Sequence, residues 1–173
     1  MERETAEARR CLCRNKLTLE NLVQLACLRQ VAEFGPVRIP THTYDTRFAE
    51  DGMHLTEHER MSFNAIYERV RQLNSKVDKF EQLASEATRD SQQHRAYAVS
   101  IETQYRTTCD AIYMIDWHLS HQDNLEASDS DPALGREGWD LLTKQEDDRL
   151  SQLAEEARAL GPEGVKQKLA QAP

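Results

Sequence analysis

The sequence predicts an all-α protein: a long heptad-patterned helix, as a coiled coil or elongated helical bundle, with flanking N- and C-terminal helices. Three observations predict it. Glycine (6) and proline (5) are scarce among the 173 residues, and neither occurs from Met53 through Asp131. Hydrophobic residues make up 39%, aromatics 6% and charged residues 30%, a balance that suits helices with one buried face. The third is a seam of apolar residues stepping by three and four.

The first helix is expected within segment 1–33. Leu12, Leu19, Leu22, Val23 and Ala26 share one side at about 100° per residue. Leu17, Leu25, Leu28 and Ala32 lie roughly opposite. A helix apolar on two sides needs neighbours on both, so Leu17, Leu25 and Leu28 form a candidate secondary partner face. Gly35 and Pro36 in "FGPVRIP" should stop this helix, and Pro40 should prevent a restart. Segment 34–55 then reads as an extended connector whose apolar teeth are Phe34, Val37, Ile39, Tyr44 and Phe48.

Thr56 and Glu59 have the spacing of a capping box and open the long helix, 56–123. Continuing by threes and fours from Phe63 gives Ile66, Val70, Leu73, Val77, Phe80, Ala84, Ala87, Ser91, His94, Ala98, Ile101, Tyr105, Thr108, Ile112, Ile115 and Leu119. Fourteen of these seventeen are apolar, where the composition alone would give about seven. Unbroken, the helix would be a rod of ~85 Å. A hairpin near Ser91 and His94 is the alternative, because both are polar and Ala84 and Ala87 before them are small. The kept phase and the missing turn residues favour the rod. His94 and Ser91 then form a polar, register-setting layer.

Residues 124–138 form an acidic linker. A closing helix and tail, 139–173, carries Leu142, Leu150, Leu153, Ala157 and Leu160 on its inner face, interrupted by Glu146, and Gly161–Pro162 ends the helix. Trp117 and Trp139 are expected to anchor it to the long helix.

The net charge is −8, which disfavours nucleic acid and anionic surfaces as partners. Residues 1–30 carry six basic and four acidic side chains, and residues 123–160 four basic and eleven acidic, so the two ends could pair. No apolar run approaches the ~18 residues of a membrane span. With no hydrophobic signal core at the N-terminus, a cytoplasmic or nuclear location is expected, without membrane insertion.

Little in the sequence points to catalysis. Phosphate loops, a nucleophile elbow and CxxC pairs are absent. Cys11, Cys13, Cys27 and Cys109 read as structural or incidental thiols. His54 with His58, and His118 with His121, have spacings a metal could use, but read better as a capping region and a solvated helix end. "SDSD" at 128–131 could present Ser128 for phosphorylation and reads first as a solvated loop.

The expected protein is therefore non-enzymatic, without cofactor or metal. It would be a coiled-coil subunit that scaffolds or tethers a multiprotein complex by pairing with other helical proteins, in a hetero-oligomer or, second, a homodimer. Its partner-binding seam would be Phe63, Ile66, Val70, Leu73, Val77, Phe80, Ile101, Tyr105, Ile112, Ile115 and Leu119. The alternatives are an autonomous helical-bundle adaptor and a small metal-binding bundle.

Overall fold

A computed structural model describes residues 2–87, 91–120 and 136–170. The described chain forms α1 (Glu2–Cys27), α2 (His42–Asp51), a 3-10 turn (Gly52–His54), α3 (Glu57–Ala87), α4 (Ser91–Ser120) and α5 (Arg136–Ala170), and contains no strand. The all-α class and the flanking helices are as expected.

The rod is not. Lys76 on α3 donates to the Thr107 hydroxyl on α4 at 3.0 Å, and the rings of Phe80 and Tyr97 lie 5.8 Å apart. In one straight helix Lys76 and Thr107 would stand ~45 Å apart. The helices α3 and α4 therefore run antiparallel, side by side. Residues 88–90 between them are outside the described residues. A step of three and four marks an apolar stripe without saying which way its partner runs, so two antiparallel helices can share one phase.

Helix α4 is the axis of the bundle. It is antiparallel to α1, with Arg9 paired to Asp116 at one end and His94 Nε2 donating to the Ala26 carbonyl, at 3.2 Å, at the other. Helix α5 runs parallel to α1, where Arg149 holds Glu20 at 2.7 Å and Gln24 donates to Glu156 at 2.8 Å. The charged ends of the chain do meet, but this ion pair has its acid on α1 and its base on α5, the reverse of the net charges.

Two apolar clusters fill the interior. One gathers Leu19, Leu22, Leu25 and Ala26 of α1 with Tyr97, Ile101 and Tyr105 of α4 and Leu153, Ala157 and Val165 of α5. The other joins Ala8 and Leu12 to Ile66, Tyr67, Val70 and Leu73 of α3 and Ile115 of α4. Both stripes of α1 thus find cover inside the chain, save Leu17.

Three boundaries differ from expectation. Helix α1 stops at Cys27, before Gly35, because Arg29 adopts a left-handed conformation (φ 55°). Gln30 N–H bonds to Leu25 O at 2.9 Å and Arg29 N–H to Ala26 O at 3.0 Å, a Schellman end built without glycine. The second half of the connector is helical. Thr41 precedes α2, its hydroxyl donating to Asp45 at 2.7 Å, and Glu4 of α1 caps the helix, its two oxygens accepting the N–H groups of Thr43 and Tyr44 at 2.7 and 2.9 Å. In α5, Gly161 (φ 66°, ψ 176°) breaks the helical path before Pro162, yet helix resumes and buries Val165. Leu160, placed on the inner face by its spacing, is 46% exposed at that break. The capping box is present: Thr56 N–H bonds to Glu59 Oε2 at 2.7 Å.

Candidate interaction surface and a buried carboxyl

Most of the expected partner seam lies inside the bundle. Ile66, Val70, Leu73 and Phe80 of α3 and Ile101, Tyr105 and Ile115 of α4 are buried. Phe63 and Ile112 pack partly buried against the same core. The side chain of Leu119 is outside the described residues. Of the second face, Leu25 is buried, Leu28 packs against the core and Leu17 is 64% exposed. The ten seam positions whose side chains are described therefore do not form one open face. The physical reason is that α4 and the connector cover α3, with Ala8 and Leu12 of α1 reaching the same cluster, while α1, α3 and α5 surround α4.

Val77 is the exception, partly exposed on the outer side of α3. It leads to a surface built by the connector, whose extended half runs back between α1 and α3. Two buried asparagines hold its backbone. Asn15 receives the Val37 N–H at 2.8 Å and donates to the Val37 carbonyl at 2.7 Å. Asn74 does the same for Ile39, at 2.8 and 2.9 Å. Each clamp closes both backbone groups of one residue, so two clamps, one from α1 and one from α3, fix the path of the connector. Tyr44 anchors the far end, stacked on Tyr67 with centroids 4.1 Å apart.

Beyond the Asn15 clamp the chain carries Phe34, Gly35 and Pro36 across α3. Gly35 lies so close to Phe80 that an added Cβ would stand 2.6 Å from the ring. Phe34 is 43% and Val37 41% exposed. Phe34, Gly35 and Pro36, with Val77, Phe80 and Ala84 of α3, line an open pocket of about 420 Å³ rimmed by Glu33 and Glu81. The sequence placed Phe34 and Val77 on different elements and gave no sign that they meet. The asparagines carry no sequence signal beyond that of polar residues beside an apolar stripe.

A second cleft, about 410 Å³, opens between α1, α4 and α5. Glu146, which interrupts the inner face of α5, is buried there. Burial, reinforced by Asp110, raises its pKa to about 7 against the pull of Arg106. Cys109 nearby is pushed up to about 11, first by burial, so it is a poor nucleophile at neutral pH. Burial likewise raises the Cys11 and Cys27 thiols.

The histidines do not assemble. His54 is exposed in the 3-10 turn, while the side chain of His58 and all of His121 are outside the described residues. His118, expected at a solvated helix end, is buried with its ring edge-on to Trp117. No group of three His, Cys, Asp or Glu able to hold a metal occurs among the described residues. Trp139 does meet α4, through Tyr113 at 5.8 Å. Ser128 and the acidic linker up to residue 135 are outside the described residues. No described helix is long and apolar enough to cross a membrane.

Comparison with models of known protein families, with curated proteins and with solved structures finds no match.

Proposed function

We propose that this chain is a non-enzymatic interaction module, a helical-bundle adaptor that holds other helical proteins within a multiprotein complex in the cytoplasm or nucleus. The observation that carries this is the pocket around Phe34, where partly exposed Val77 of the apolar seam lies beside a half-exposed aromatic ring, over buried Phe80. Burying Phe34, Val37 and Val77 against a partner would remove apolar area from water at about 25 cal/mol per Å². Glu33 and Glu81 on the rim select a partner helix with an apolar face flanked by Lys or Arg. An adaptor is favoured over a rod-like tether because most of the seam is already packed within the chain.

The test is co-purification from the native cell with Phe34→Asp and Val77→Asp, both altered at exposed or half-exposed positions. Loss of the same helical partner from both variants, with circular dichroism unchanged, is the expected result. Retention of every partner by both would refute the proposed surface.

A further inference from the structure

Where the chain leaves α1 and passes the first turn of α4 there is a surface pocket of about 450 Å³. It is lined by Arg29, Gln92, His94 and Arg95, with no acidic side chain among its described lining residues. One carbonyl joins its two walls. Ala26 O accepts the Arg29 N–H at 3.0 Å and His94 Nε2 at 3.2 Å, so the two residues meet on a single oxygen. Arg95 follows His94 directly. The Arg29 and Arg95 side chains are exposed, and neither guanidinium has an ion pair or hydrogen bond to a described residue. Arg9, Arg38, Arg71, Arg106 and Arg149, by contrast, each hold an acid.

This pocket adjoins the surface around Phe34. His94 lies against Tyr97, with ring centroids 5.9 Å apart, and Tyr97 against Phe80 at 5.8 Å. Phe80 is a wall of the Phe34 pocket, and Ala32, which also lines it, donates its N–H to the Tyr97 hydroxyl at 3.5 Å. A row of three rings thus connects the two pockets. We propose that Arg29, His94 and Arg95 bind the phosphate monoester of a phosphorylated serine or threonine on the partner that docks at Phe34. The phosphate chemistry stands on this pocket alone, and the source of the phosphate rests on the adaptor reading. Two free guanidiniums present two planar forks of N–H donors. A carboxylate fills one fork, whereas a monoester phosphate has three free oxygens and nearly two negative charges at neutral pH, enough for both. The chain carries a net −8, so the overall field does not draw anions in and these local donors must hold them. An anionic membrane would meet that net charge over its whole face, so a single phosphorylated side chain fits the pocket better than a lipid surface.

The experiment is an NMR titration of the full ¹⁵N-labelled chain with N-acetyl-O-phosphoserine methylamide, near neutral pH and at constant ionic strength. Saturable shifts at residues 27–31 and 92–97 are expected. The unphosphorylated compound and acetate should bind roughly tenfold more weakly or worse. Arg95→Gln and Arg29→Gly should each weaken phosphoserine binding roughly tenfold. Both change exposed side chains, and the left-handed backbone at position 29 suits glycine. Phe34→Asp should leave this binding unchanged, so that the phosphate site and the adaptor surface fail separately. Inorganic phosphate binding roughly tenfold more tightly than the phosphoserine compound would overturn a protein-borne phosphate as the ligand. No saturable shift up to about 10 mM, acetate binding as tightly, or undiminished binding by either arginine variant would overturn the site itself.

Discussion

At the scale of single residues, the bundle is marked by polar groups placed where apolar ones would pack. Glu146, 5% exposed, is one of them. Its folded-state pKa of about 7 lies above the ordinary 4.5, so the folded chain keeps this proton longer than the unfolded chain does. Stability tied to this group is therefore full below pH 4.5, falls as pH rises toward 7, and is flat above that. Glu146→Gln removes the charge and keeps the shape. It should match the wild type near pH 4 and exceed it at pH 8 by on the order of 2 kcal/mol, read from urea unfolding at the two pH values. Equal pH dependence in the two proteins would mean that Glu146 is solvated. Arg29 gives a second case, since its left-handed backbone costs a non-glycine residue roughly 1–2 kcal/mol. Arg29→Gly should recover about half of that, after the extra freedom glycine gains in the unfolded chain. A lower melting temperature in this variant would show that the Arg29 side chain has a structural role.

At the scale of elements, the connector is what the sequence concealed. Its apolar teeth were legible, and Ile39 and Tyr44 are indeed buried. Its path was not, because it depends on Asn15 and Asn74, which lie 59 positions apart in the chain. No local pattern marks two asparagines as joint clamps on one strand of backbone. Asn74→Ala would strand the buried N–H and carbonyl of Ile39, a loss of about 2–4 kcal/mol. Hydrogen exchange at Ile39 should quicken in that variant while exchange in α4 stays slow. Unchanged protection at Ile39 would mean that something other than Asn74 holds the connector. Gly35→Ala tests the same element from the other side, because its methyl group must displace the Phe80 ring. The helices themselves were more legible. Thr56 and Glu59 set the start of α3, and the apolar positions from Ile66 to Ile115 are mostly the buried ones. The break between α3 and α4 was hidden because residues 88–90 contain neither glycine nor proline, so the phase runs across them without a visible stop.

At the scale of the whole molecule, the question is what covers the apolar seam, and the fold answers that the chain does. Helix α4 lies against α1 and α3, and α5 closes over the stripe of α1 that holds Leu25 and Leu28. The described core is hidden by the chain itself, and the surface proposed for a partner is the smaller one around Phe34. The most direct test is a distance between spin labels at Glu68 of α3 and Ser120 of α4, both exposed. They are best carried on unnatural side chains, which avoids the four cysteines. The antiparallel pair places them within about 25 Å, from an interhelical spacing of 8–10 Å, a few residues of axial offset and the label arms. A continuous helix would hold them ~80 Å apart, from 52 residues at ~1.5 Å each. A short distance in the isolated chain is the predicted result, and a distance near 80 Å would contradict it and return the seam to an outside partner.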